Sequence, residues 1–346
     1  MNTNQKQIII LTDGRSGHET QSLGITTILN KDQVFDVKFI KIKEISKFKK
    51  IIFKFALNLF PKEWLLGQLF DVEQFEHLDI DQIAYIVSAG GDTLLPNAVL
   101  KSYLVSVGVH VKNVIATSLR GMPESAFDVV FTIDKTKSEK KPYIYYTIAP
   151  NKLLSFDLAT DEKLARERLG LDQNIGVWCV LIGANSHDVS IGSVEEWIIM
   201  LEKLAQQFAA DVFYVSTSRR TPKNFEQSLK NVLKQYKNIH LILVGEGDKT
   251  PIKDLMYAAN MLICSPDSTS MVSESLMLGK PLFIAKFDST DMNEEFKLFY
   301  EDKISNGWLR MGLVDGDSLF DDLKEFNYIN HANSLYELFK NRLKDV

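Results

Sequence analysis

Residues 267–281 read DSTSMVSESLMLGKP. The run before them, MLIC, is apolar and of strand length, and the helical pattern after them stops at Gly279-Lys280-Pro281. A strand ends, a polar turn follows, and a helix opens on hydroxyl side chains. Ser268, Thr269 and Ser270 sit where a helix start leaves backbone amides free, and such amides hold phosphate. An N-cap alone would account for Asp267 or Ser268. It does not account for Glu274, one to two turns in. A carboxylate only accepts hydrogen bonds, so its natural partner is a diol such as ribose. Phosphates on the amides and ribose on Glu274 together describe a nucleoside diphosphate.

Three other turns carry polar chemistry after apolar runs. TDGRSGHETQSLG (12–24) places Gly14 and Gly17 in a tight loop at a helix start, with Asp13, Arg15 and His18 beside them. A solvated glycine turn reads equally well there, since a lone GxxG is a weak signal. VSTSRRTP (215–222) ends a strand in Ser218, Arg219 and Arg220, and paired arginines suit bidentate phosphate binding. A solvated basic turn is the plainer alternative. LVGEGDKTP (243–251) sets Gly245 and Gly247 around Glu246, a loop for close approach to a ligand or an ordinary turn. Gly183 and Asn185, at the end of GVWCVLIG and just beyond it, complete the expected donor set. His18 or Asp13 is placed to remove an acceptor proton, a step worth about 10²–10⁴-fold.

The elements that must position these turns are legible. Strand-like runs stand at 7–12, 34–40, 83–89, 111–117, 127–133 and 143–148, and again at 176–183, 211–218, 238–245, 261–265 and 281–285. They are apolar on both faces and separated by helix-length segments, the pattern of parallel sheets covered on both sides. Ligands in such sheets bind at the carboxyl ends of strands, where all four turns lie. The 346 residues suffice for two cores. The expectation is two Rossmann-like doubly wound domains facing a cleft: an acceptor and membrane-facing domain at 1–155, a nucleotide-sugar domain at 156–325, and a terminal helix at 326–346 packing back across the boundary.

Composition narrows the class. The chain is 45% hydrophobic and 25% charged with net charge −5, so no overall nucleic-acid signature is present. Cys179 and Cys264 lie in apolar runs and read as buried, reduced thiols. No Cys/His spacing suggests a metal. MNTNQKQ is polar and lacks the features of a signal peptide, and no run approaches membrane-span length. A cytoplasmic protein is expected.

Taken together, DGRSGHETQSLG, SAGGDT, FDVVFTID, TSRRTP and GEGDKTPIKDLMYAANMLICSPDSTSMVSESLMLGKP resemble the elongated-mitochondria (mitochondrial fission) family, in particular its bacterial branch. The match spreads over most of residues 8–285. The resemblance implies the two-domain GT-B glycosyltransferase architecture. PDSTSMVSESLMLGKP is also similar to the nucleotide-sugar site of murein-precursor glycosyltransferases and of non-hydrolysing UDP-sugar 2-epimerases. There the Glu matching Glu274 holds the ribose and the small residues before it hold the diphosphate. GxxGH at 14–18 resembles the acceptor-side glycine loop of the same transferases. Eukaryotic members of the family recruit a dynamin-related protein to mitochondria.

KFIKIKEISKFKKIIFKFALNLFPKEWLLGQLF (38–70) alternates lysine with Phe, Ile, Leu and Trp64. The pattern suits an amphipathic segment on an anionic membrane surface, while a core helix with a solvated lysine face is the bland alternative. The expected activity is metal-independent glycosyl transfer from a nucleotide-sugar to a lipid-linked or cell-envelope acceptor. The nucleotide-sugar serves as co-substrate without a further cofactor, and the protein sits peripherally on the inner face of the cytoplasmic membrane. A nucleotide-sugar epimerase and a non-catalytic scaffold are the alternatives.

Overall fold

The computed structural model of the chain describes residues 5–55, 60–248, 251–314, 326 and 329–344. Two compact units are present: Met1–Phe156 with His331–Val346, and Asp157–Asn330. The first runs one residue beyond the boundary expected at 155, and the boundary expected at 325 lies outside the described residues.

The first unit carries β1 (Gln7–Thr12), α1 (Ser16–Leu29), β2 (Asp36–Lys41), α2 (Lys47–Phe55), α3 (Lys62–Leu69), β3 (Ile83–Ala89), α4 (Leu94–Ser106), β4 (Lys112–Ala116), β5 (Val129–Thr132) and β6 (Tyr143–Tyr145). Its strands form one parallel sheet in the order β2-β1-β3-β4-β5-β6. Ile8, Ile9, Ile10 and Leu11 of β1 are fully or almost fully buried because helices cover both faces. β-Branched side chains fit that pleated, two-sided burial.

The second unit holds α5 (Leu158–Leu169), β7 (Val177–Leu181), β8 (Val189–Ser190), α6 (Val194–Gln207), β9 (Val212–Ser216), α7 (Lys223–Leu233), β10 (Ile239–Ile242), α8 (Ile252–Ala258), β11 (Met261–Cys264), α9 (Thr269–Met277), β12 (Leu282–Ala285), β13 (Asp291–Met292), α10 (Glu294–Ser305) and β14 (Arg310–Gly312). The parallel order is β10-β9-β7-β11-β12-β14, and β8 pairs antiparallel with β13. Every strand read from the sequence has its counterpart. β8, β13 and β14 escape that reading because two or three residues show no periodicity.

The chain end returns to the first unit as α11 (His331–Lys344). Phe339 stacks on Phe131 at 6.0 Å, and the Arg342 guanidinium donates to the carbonyls of Tyr143 (2.9 Å) and Ser138 (3.0 Å).

Both sheets reverse winding direction once. In the first, β1 lies between β2 and β3; in the second, β7 lies between β9 and β11. Such switch points open a crevice at the strands' carboxyl ends. The loops after β1 and β3 therefore meet, as do those after β7 and β11.

Candidate functional site

In the second unit the β7–β11 switch point gathers four of the expected residues. Asp267 follows β11 and its carboxylate is fully buried. One oxygen accepts from the Ser265 hydroxyl at 2.6 Å; the other accepts from the Ala184 amide at 3.2 Å and the Arg220 guanidinium at 2.6 Å. A side chain on Gly183 would collide with this carboxylate, its Cβ falling 2.1 Å from Oδ1. The Gly183 amide donates to Ser265 Oγ at 2.8 Å, and its carbonyl accepts from Thr221 Oγ1 at 2.6 Å. Thr221 in turn receives the Ser218 amide at 2.9 Å, folding the SRR turn onto the end of β7. From the far side, the buried Tyr300 of α10 donates to the Pro266 carbonyl at 2.8 Å.

Ser268 is the N-cap of α9: its hydroxyl accepts from the Met271 amide at 3.3 Å. Asp267 does not cap, because its oxygens are already engaged. The amides of Thr269 and Ser270 have no hydrogen-bond partner among the described residues, and both side chains are exposed. Glu274 is half-buried on the second turn. Burial pushes the Cys264 thiol up to about 12, with Ser275 opposing and the charges of Asp267 and Glu274 adding to the rise.

The two arginines part ways. Arg220 is committed to Asp267, whereas Arg219 is exposed without hydrogen-bond or ion-pair partner among the described residues. It lines an open groove of about 620 Å³ between the ends of β9 and β10, walled by Ile242, Val244, Pro251 and Ile252. Glu226 of α7, buried beneath this region, ties the two turns together by accepting from Thr217 Oγ1 (2.5 Å) and the Gly245 amide (2.9 Å). The sequence reading missed Glu226, Thr217, Thr221 and Ser265. Thr221 alone carried a signal, as the Thr of a Thr-Pro helix start.

Other expected residues are placed differently. Glu246 pairs with Lys230 at 2.6 Å on the surface, so it is an ion-pair partner. The Asn185 side-chain oxygen receives the Ile191 amide at 2.8 Å and shapes its own loop. Gly247 turns the chain at φ +92°.

In the first unit the β1–β3 switch point joins the DGRSGH and SAGGDT loops. His18 Nδ1 lies 2.8 Å from Asp13 Oδ2, and Asp13 Oδ1 accepts from the Arg15 amide at 3.1 Å. A carboxylate only accepts, so Nδ1 is the donor in this contact. The Asp13 carboxylate is nearly buried and fixes the orientation of the His18 ring. Gly90 has φ +88°, and a Cβ there would fall 2.3 Å from the imidazole. Only glycine lets the SAGG loop run this close to His18. Asp92 receives Lys50 at 2.6 Å and Arg15 at 3.2 Å. The Lys50 hydrogen bond holds the Asp92 carboxyl below its usual range, with burial opposing and Arg15 and Arg120 adding. Gly14 and Gly17 face open space.

The family described as Mitochondrial fission ELM1 matches residues 16–313. An uncharacterized protein, RP120, of Rickettsia prowazekii is 28% identical over 175 residues, 48% of this chain and 46% of that protein. The match thus spans about half the length of that curated relative. Among solved structures, a putative UDP-N-acetylglucosamine 2-epimerase from Listeria monocytogenes aligns over 99% of this chain and 98% of its own with TM-score 0.55 at 9% identity. The UDP-GlcNAc 2-epimerase of Methanocaldococcus jannaschii aligns over 97% and 99% with TM-score 0.54 at 15% identity. At these identities the likeness is one of fold, the GT-B-like pair of Rossmann-like units.

Proposed function

We propose, for a chain that belongs to the mitochondrial fission ELM1 family, that the second unit binds a nucleotide-sugar and that the protein transfers its sugar to an acceptor held by the first. The observation that carries this reading is the β7–β11 switch point. There a helix start with two amides unpartnered among the described residues adjoins the anchored Arg220, and the open Arg219 precedes it in the same turn.

The diphosphate rests on the Thr269 and Ser270 amides, where the α9 dipole favours negative charge. Arg219 closes on it, and Arg220 is pre-set by Asp267. Glu274 accepts from the ribose hydroxyls. The groove between β9 and β10 offers apolar walls for a flat base. As the glycosidic bond breaks, charge grows on the departing diphosphate, and fixed amides and guanidinium groups stabilise it without reorganising. In the first unit, Nε2 of His18 takes the proton of the acceptor hydroxyl while Asp13 steadies the imidazolium. The acceptor is a lipid-linked or envelope component met at an anionic membrane surface from the cytoplasmic side.

Epimerisation of a UDP-sugar is the second reading, supported by the likeness in fold to the two UDP-N-acetylglucosamine 2-epimerases. It needs the same donor site and no acceptor. A thermal-shift screen with UDP-, GDP-, ADP-, dTDP- and CMP-sugars tests the shared premise. A bound ligand at a hundred times its Kd raises stability by about 2.7 kcal/mol. No shift with any of them leaves the scaffold reading, and turnover of a UDP-sugar without acceptor selects the epimerase.

A further inference from the structure

Helix α2 is mounted with its apolar face outward. Phe48, Ile51 and Ile52, spaced i, i+3, i+4, are 72%, 54% and 38% exposed. That spacing is one helical stripe, which a surface helix ordinarily turns toward the core. Here the inward side carries Phe53 and two lysines one turn apart. Lys50 reaches Asp92 at 2.6 Å, and Lys54 donates to the Arg120 carbonyl at 3.2 Å. Trp64 of α3, 46% exposed, packs edge-on against Phe53 at 5.6 Å and extends the apolar rim.

Charge accompanies this ridge. Residues 38–54 hold seven lysines and one acid in a chain of net charge −5. A cavity of about 230 Å³ at the start of α2 is lined by four cations, Arg15, Lys41, Lys43 and Lys50, and by three acids, of which Asp92 occupies both Arg15 and Lys50. Asp13 of the His18 pair lines the same cavity. Among the described residues no helix is long and apolar enough to cross a membrane. An outward apolar stripe on a basic segment is the arrangement of a helix lying in a headgroup layer.

We propose that α2 docks the protein on a bilayer of anionic phospholipid, with Phe48, Ile51 and Ile52 entering the headgroup–acyl boundary. A lipid phosphate enters the cavity and competes with Asp92 for Arg15 and Lys50. The same geometry assigns the acceptor's class: a lipid whose phosphate sits beside the Asp13–His18 pair. This second step rests on the glycosyl-transfer reading, while the docking step does not.

The test is co-sedimentation with phosphatidylcholine vesicles, with and without phosphatidylglycerol. Wild type binds only the anionic vesicles, and binding falls as salt rises, since screening shortens the reach of surface charge. The double variant Phe48→Ser/Ile51→Ser lowers the partition coefficient at least about tenfold, the order expected for one apolar side chain left unburied. Lys49→Glu, at an exposed position, lowers it about fivefold or more. Asp92→Asn raises affinity for phosphatidylglycerol vesicles severalfold by freeing Arg15 and Lys50. Melting temperature and nucleotide-sugar shift are measured on each variant. A lost nucleotide shift in wild type sinks the donor reading and leaves docking standing. Equal sedimentation of wild type and the Phe48/Ile51 variant overturns the docking. An Asp92→Asn protein with no gain, or release by inorganic phosphate no greater than that by chloride of equal ionic strength, removes the lipid phosphate from the cavity.

Discussion

At the scale of single residues, two neighbours in one turn do different work. Arg219 is open, so Arg219→Ala is expected to weaken diphosphate ligands about tenfold, the order of one lost charge-assisted contact, and to leave the melting temperature unchanged. Arg220 neutralises a buried carboxylate. Arg220→Ala leaves Asp267 with only Ser265 and Ala184 and should cost about 2 kcal/mol in stability. Chemical unfolding and calorimetry on both variants separate the two effects, and identical profiles would remove the distinction. Glu274→Gln tests the ribose contact: about tenfold weaker nucleotide-sugar binding without loss of fold is expected. Unchanged affinity in calorimetry would mean that Glu274 serves α9 and not the ligand.

At the scale of elements, the first-unit site exists because two loops at one switch point are shaped around each other. The SAGG loop passes the His18 ring at a position where any Cβ collides and where φ is positive. Gly90→Ala is therefore expected to cost about 1 kcal/mol of stability, the order of a strained left-handed residue. It also swings His18 off Asp13. Turnover should fall about 10²-fold, the lower end of what a general base contributes, while donor affinity, located in the other unit, stays level. A variant that turns over normally would show that His18 is not the base. Lys50 and Lys54 are inward partners of Asp92 and Arg120, so their reversal disturbs the fold as well as the surface.

At the scale of the whole molecule, both thiols lie inside the second sheet. Cys179 and Cys264 are completely buried and free, and burial raises the pKa of each. A thiolate is the reactive form, so neither should react with a thiol-specific reagent under native conditions, and both should react in denaturant. Labelling before unfolding would contradict the burial of β7 and β11.

Much of this protein is written locally. Runs such as QIIILT and MLIC announce buried parallel strands because β-branched apolar side chains suit two-sided burial. DSTSMVSE announces a helix start because its small hydroxyls cap amides, and the family's motif blocks were readable for the same reason of locality. Which turns come together was not readable. Asp267 and Gly183 are 84 positions apart, and they meet only because β7 and β11 pair at a switch point. Glu226 looks like any acid on an amphipathic helix until packing buries it under Thr217 and Gly245. The outward face of α2 is likewise invisible in KFKKIIFKF. An apolar stripe has the same period whether it turns inward or outward, and only its tertiary partners, Asp92 and the Arg120 carbonyl, decide which side faces solvent.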